Sequence, residues 1–429
     1  MNPTYRGKLV FYGWVIVGVL MVLNIVNVSL LTINLGLFVN PVSADLGLNK
    51  ALFGWAQTAR LVGVTVSGYL IGRILDSYGA RRMLMALAVL AAVGMFAFSR
   101  ITAGWQLLAV LFYMGALGLH GSGGNLYTVV PLSQWFVRQR GKAMSIAFLG
   151  MPLGIFFIVP LTQYLIGNIG WRNTTVVFGI SALIIIPLIS PLIGRRPEDR
   201  GLLPDGDSRV RPAFPDDTVG ESAGVQAAEY PWTRGEAVRT SAFWKLSIAT
   251  GITFFAGSML AVYRIPYFVG LGMDPQIVSY SLSLEAVFSV TISFIVARAL
   301  ARIEVRYLLA FGTLMMATTF LVLIISSQVW HVFLAGAILG IGIQSRIILE
   351  GTVWSVYYGK QHIGKIRGIA VPMTVVFSFA GGPFAGVVYN ASGSFLLAWQ
   401  VTAVLLVISA ALVVTTSKPV PPRALPESV

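Results

Sequence analysis

Apolar runs too long for a soluble core recur along almost the whole chain. Val15 to Val28 is broken only by Asn24 and Asn27, and Met83 to Phe98 and Val176 to Ile193 are similarly greasy. Each belongs to a segment that reaches the roughly 20 residues needed to cross a bilayer as helix. With 56% of 429 residues hydrophobic and 11% charged, a water-soluble fold is excluded. The pattern predicts an all-α membrane protein with twelve spans, at roughly 11–38, 51–74, 83–99, 104–132, 141–166, 173–193, 241–267, 276–300, 307–326, 330–358, 367–390 and 395–416. The short polar start, Met1 to Lys8, and the long first run do not fit a cleaved signal, so the first span is expected to stay.

The chain carries 30 Lys and Arg against 16 Asp and Glu, net +14. Placement decides what that excess means. With both termini cytoplasmic, nearly all basic loop residues fall on the inner side, leaving Lys50, Arg100 and Arg172 outside. This is the positive-inside asymmetry, and it argues for a lipid bilayer around the chain and against nucleic acid as a partner. With no cysteine and three histidines, disulfides and thiolate metal sites are excluded, and the histidines show no metal-binding spacing. No Walker-type phosphate loop and no nucleophile–base constellation is present. Neither a cofactor nor a metal is expected, nor is an enzyme.

A polar stretch from Gly194 to about Arg239 holds nine of the sixteen acids with scattered Pro and Gly, and reads as a cytoplasmic linker. It separates a bundle over 1–193 from one over 241–416, with the linker taken as 194–240 and a tail over 417–429. The halves repeat: "LGLNKALFGWAQTARLVG" from Leu46 falls on "LGMDPQIVSYSLSLEAVF" from Leu271 without gaps, and Arg81 meets Arg306. A duplicated six-helix unit implies two pseudo-symmetric bundles around a central cavity.

After the second span the chain reads "GRILDSYGARR", with Gly72, Asp76, Gly79, Arg81 and Arg82. This resembles the signature loop of the major facilitator superfamily, in which glycines permit a tight turn and the charges form a gate cluster. The alternative for the arginines is topogenic anchoring. The aligned second loop, "ARALARIEVRY", has Ala297 and Ala301 in place of Gly72 and Asp76, a degraded copy. "YGW" at Tyr12, "WFVRQRGKAMSIAFLGMPLG" with Arg140, "GWR" at Gly170 and "YYGKQHIGKIRG" at Tyr357 are similar to the monocarboxylate and oxalate/formate transporter branch. That resemblance implies a monomeric inner-membrane carrier that moves a small organic anion by alternating access. Proton symport is the first expectation and exchange the second. The branch's charged anion clamp in the eighth and eleventh spans is replaced here by Ser293 and Thr374.

Charges at bilayer depth are costly unless they face a partner or a wet cavity. Arg346 and Glu350 lie one turn apart in the tenth span, a cavity-lining span in this superfamily. They either neutralise each other or bind an anion and a proton. Arg60 and Glu285 superpose in the repeat, with opposite sign. They could bridge the halves directly or through neighbours, and are read either as a structural salt bridge that locks one state or as a site where a protonatable Glu285 couples proton entry to opening. Asn27, Asn34, His120 and Asn125 add polar groups in the first and fourth spans, with His120 either a proton carrier or a packed ring. Tyr263, Arg264 and Tyr267 read as an outer gate or as interfacial anchors, and Trp354 as an inner closure or part of the aromatic belt. A proton-driven exporter of amphiphilic or cationic compounds, received by the glutamates, is the competing expectation.

Overall fold

The computed structural model describes residues 11–32, 35–118, 121–194, 197–200, 202–206, 230–359 and 361–421; along 31–32, 68–79 and 121–126, and at 198, 200 and 206, it describes the backbone alone. The first half contains α1 (Tyr12–Asn27), a π-helical turn (Val28–Thr32), α2 (Leu35–Leu46), α3 (Ala51–Ser99), α4 (Gly104–Ala116), α5 (Gly121–Trp135), α6 (Arg140–Phe148) and α7 (Gly150–Ile189). The short α8 (Arg234–Arg239) leads into α9 (Ser241–Gly270), α10 (Pro275–Ala299), α11 (Val305–Ile325), α12 (Val329–Tyr358), α13 (Ile363–Ser392) and α14 (Leu396–Val414).

Among the described residues, nine helical stretches are long and apolar enough to cross a membrane. One of them, Arg140–Leu192, has 53 residues. At helical rise that is about 80 Å, twice a bilayer. It divides at Gly170, whose φ of 78° is open to glycine, and so supplies two crossings. The long α3 also doubles back. Gly63 packs on Phe112 and Gly115 while Gly94 packs on Tyr113 and Met114, so both touch the same end of α4. A straight helix would hold those two glycines about 46 Å apart. The reversal lies where a loop was expected after the second span, yet 68–79 is helical throughout. Counting both crossings of α3, and α4 with α5 as the fourth, gives the twelve expected spans.

The repeat is visible in matched interactions 225 positions apart. Asn49 and Asp274 each cap a helix by accepting from the backbone N–H two residues on, at Ala51 and Gln276. Gln106 and His331 each accept from the backbone N–H three residues earlier, at Ala103 and Gln328, at the starts of α4 and α12. Gly115 lies against the backbone of Arg60, and Gly340 lies against that of Glu285 in the same way.

Tyr12, bonded to the Leu192 carbonyl, and Thr415 and Thr416, bonded by Lys245 and Tyr357, mark one end of the bundle, the terminal face. A large apolar core runs through the first half and across to the second. A second cluster, made entirely of residues from Trp232 onward, fills the terminal end of the second half and is separate from it. The halves are therefore joined away from the termini.

The linker is pinned at both ends. Asp205, at φ 59°, accepts from the backbone N–H groups of Val137, Arg138 and Gln139 at 2.8 to 3.2 Å, just ahead of α6. At the other end Trp232 packs edge-on against Tyr358, whose hydroxyl meets that of Thr240 at 2.6 Å. Asp205→Ala is expected to cost about 1 kcal/mol, the size of a lost helix-cap carboxylate. A lowered thermal midpoint in detergent would report it.

Candidate functional site

The two halves close on each other at the face opposite the termini, and proline chemistry explains how. Pro160 in α7 and Pro383 in α13 sit inside helices. Each lacks the N–H that would bond the carbonyl four residues earlier, at Phe156 and Phe379. In a membrane core a freed carbonyl must find another donor. Ser283 Oγ of α10 donates to the Phe156 carbonyl at 2.8 Å, and Thr58 Oγ1 of α3 donates to the Phe379 carbonyl at 2.6 Å. Thr58 and Ser283 are repeat equivalents, so each half offers one hydroxyl to the other.

Close backbone approach completes this seal. A Cβ on Gly54 would overlap the Gly382 carbonyl, and one on Gly386 would meet Ala51 and the Tyr263 hydroxyl. Tyr263 is fully buried and donates to the Lys50 carbonyl at 3.0 Å, while Lys50 Nζ reaches the Tyr389 hydroxyl at 3.3 Å. Gln276 Nε2 adds a bond to the Pro160 carbonyl at 3.2 Å.

Two residues beyond each sealing hydroxyl stand Arg60 and Glu285. They are not a pair, contrary to one expectation from the repeat. Glu285 Oε2 lies 2.7 Å from Arg264 Nη2, with the side chains 16% and 8% exposed. The atoms meet off the hydrogen-bonding axis, so the contact is an ion pair, and Arg264 Nη1 keeps no hydrogen-bond partner among the described residues. Arg264 sits six residues from the end of α9 and Glu285 ten residues into α10, so adjacent helices of one half supply both charges. Arg60 instead donates from Nε to Gln57 Oε1 at 3.2 Å.

Arg346 does pair with Glu350, Nη2 to Oε2 at 3.4 Å. Its stem lies against Gly312, and Nη1 is 3.8 Å from Met316 Sδ, so it is packed on α11 of its own half. Breaking a buried pair strands the remaining charge, and Arg346→Ala is expected to cost about 3 kcal/mol. Adding Glu350→Gln should recover most of that loss in a thermal unfolding measurement.

The other expected residues divide by location. Tyr267 donates to the Leu323 carbonyl at 2.7 Å and packs on Trp399, which anchors α9 within its half. Trp354 packs between Phe243 and Tyr358 at the terminal end of the second half. Asn27 is buried at the end of α1, beside the π-helical turn. Arg81, Arg82 and Arg140 are exposed. Asn34 and His120 lie outside the described residues, and at Asn125, Gly72, Asp76 and Gly79 the backbone alone is described. Sequence reasoning missed Thr58, Ser283, Gly54 and Gly382. The two hydroxyls were superposed in the repeat, and the two prolines stand four residues beyond the carbonyls they free.

The chain is a bundle of twelve crossings in two equivalent halves, which meet at the face opposite the termini with charge buried beneath the contact. A family model described as Major Facilitator Superfamily matches residues 17–284, more than half of the chain, and the chain belongs to that family. That family is one of secondary transporters and not of enzymes, and the chain is a multi-pass membrane protein. The chain is 34% identical over 141 residues to a putative metabolite transport protein of Haemophilus influenzae, covering 32% of this chain and 34% of that one. It is 29% identical to human monocarboxylate transporter 6 (39% and 33% covered) and 25% identical to the oxalate:formate antiporter of Oxalobacter formigenes (59% and 55% covered). It thus spans between a third and just over half of the length of these relatives. Among solved structures, a bacterial homologue of the human lysosomal transporter Spinster, inward-facing and occupied, superposes with a TM-score of 0.70 at 13% identity over 96% of this chain and 97% of that one. The nucleoside transporter NupG superposes at 0.68 and 11% identity over 93% and 98%. These structural likenesses concern the fold.

Proposed function

We propose that this chain carries a small organic anion of the monocarboxylate kind by alternating access, driven by protons, in an inner membrane with both termini cytoplasmic. The observation that carries the reading is the buried Arg264–Glu285 pair beneath the seal. When a proton neutralises Glu285, Arg264 is released to take a carboxylate on its planar fork. At that pair the empty and the fully loaded forms then have the same charge. An anion alone, or a proton alone, leaves one uncompensated charge, which costs several kcal/mol in a buried site. That difference couples the two ligands.

The relatives' names support the anion class, and the positive-inside placement of the basic residues supports the orientation, in which the sealed face is the outer one. Arg346 and Glu350 act in this reading as a structural pair of the second half.

The test is uptake into liposomes of labelled formate, L-lactate, oxalate and 3-(3-hydroxyphenyl)propionate, with and without an inside-alkaline gradient. Gradient-dependent accumulation of at least one acid is expected, and Arg264→Ala should reduce it roughly 100-fold, the scale of a lost charged hydrogen-bonding partner in a desolvated site. Movement of an amphiphilic cation such as ethidium, with no carboxylate moving, would overturn the anion reading.

A further inference from the structure

Arg60 is a buried guanidinium without a carboxylate. Its residue is 9% exposed, and among the described residues no acid pairs with it. The sequence explains why none can. The first 193 residues contain two acids, Asp45 and Asp76. Asp45 is held at the sealed face by Arg172 and Trp171. Asp76 is sixteen residues further along α3, about 24 Å at helical rise, toward the terminal face. In the second half, Glu285 and Glu350 are taken by Arg264 and Arg346.

The position is held firmly. A Cβ on Gly115 would overlap the Arg60 carbonyl, so α3 and α4 touch backbone to backbone at this residue. Gln57, one turn earlier, takes the Nε hydrogen at 3.2 Å. That leaves the Nη1 and Nη2 end of the guanidinium, the edge that receives a planar carboxylate with two parallel bonds. Arg60 stands two residues past Thr58, the hydroxyl that crosses to Phe379, as Glu285 stands two residues past Ser283. Measured from the starts of α3 and α10, both charges lie about 14–15 Å in. A retained charge at this depth calls for a partner, and among the described residues no carboxylate pairs with it.

We propose that Arg60 is an anion-binding residue of the first half, with the carboxylate group of the transported compound as its missing counter-ion. The inference rests on the anion-transport reading and deepens it: the anion touches the half opposite to the Arg264–Glu285 pair and so bridges the two bundles beneath their seal. Arg60 keeps its charge in every state, so it draws the anion in while the proton's role stays with Glu285.

The experiment follows the thermal midpoint of purified protein in nanodiscs against formate, L-lactate and 3-phenylpropionate at constant ionic strength, for wild type, Arg60→Gln, Arg60→Lys and Glu285→Gln. Wild type is expected to show saturable stabilisation by at least one of these carboxylates. Arg60→Gln should match or exceed the wild-type midpoint without ligand, because a lone buried charge is gone, and raise the half-saturating concentration roughly 10- to 100-fold. Arg60→Lys should lie between. A structural role would instead lower the ligand-free midpoint of Arg60→Gln and leave the half-saturating concentration unchanged, which overturns the proposal. Absence of stabilisation by all three carboxylates in wild type overturns it as well. Glu285→Gln separates the two claims. If it retains Arg60-dependent stabilisation while wild type shows no gradient-driven uptake, proton-coupled transport fails and the Arg60 site stands. If wild type transports and Arg60→Gln binds and transports normally, the site fails alone.

Discussion

Glu285→Gln is expected to abolish proton-driven accumulation while sparing exchange of internal for external substrate. A glutamine copies the shape of the protonated carboxyl, so Arg264 is permanently released to the anion. The loaded site is then locally neutral and can reorient. The empty site then carries Arg264 unpaired in addition to Arg60, and the cost of that second buried lone charge, several kcal/mol, opposes its return. Net uptake should fall 100-fold or more, since each 1.4 kcal/mol is a factor of ten. Counterflow of the same substrate should stay within about threefold, because only the empty return is blocked. Accumulation at the wild-type rate in this variant would move the proton site elsewhere, with Glu350 the next carboxylate at membrane depth.

The seal supplies the second large effect. Gly54→Val places a branched side chain where the Gly382 carbonyl already fills the space, so the described closed face cannot form. The carrier should be confined to states open at that face and lose net transport by at least about tenfold, with folding intact because the clash lies between halves. Removing the hydroxyls is milder. Thr58→Val with Ser283→Ala forfeits two hydrogen bonds of about 1 kcal/mol each and should shift the population toward the same open state without trapping it. The chain lacks cysteine, so introduced pairs label cleanly. Spin labels at Trp105→Cys and Trp330→Cys, both exposed, report the sealed face, while Val137→Cys and Lys365→Cys report the terminal face. In Gly54→Val the first distance should lengthen and the second shorten. Wild-type distances at both positions would show that the glycine contact does not control the gate.

Much of this was legible before any coordinates, for identifiable reasons. Bilayer thickness sets the length of an apolar run, so the spans could be counted. The ungapped repeat carried Arg60 onto Glu285, Thr58 onto Ser283 and Asn49 onto Asp274, and the structure keeps all three equivalences. What the repeat could not give was partnership. Equivalent residues occupy like positions in opposite halves, and that placement gives no reason for them to touch. Arg264 stands at the position of Val39 in the first half, so only the second half could build an ion pair around its glutamate. Arg346 was expected to face the cavity because the family's tenth span lines it, and the structure adds that its stem fills a groove left by Gly312 on α11. Helix rotation of that kind depends on packing partners far along the chain. The seal escaped notice because its acceptors are backbone carbonyls, invisible in side-chain patterns except through Pro160 and Pro383.

The most direct measurement records luminal pH with a trapped dye while the transported carboxylate is added to liposomes without an imposed gradient. Acidification that follows anion entry in wild type and vanishes in Glu285→Gln, with exchange retained, is the expected result. Anion entry at constant luminal pH, accompanied by a membrane potential instead, would contradict proton coupling through the Arg264–Glu285 pair.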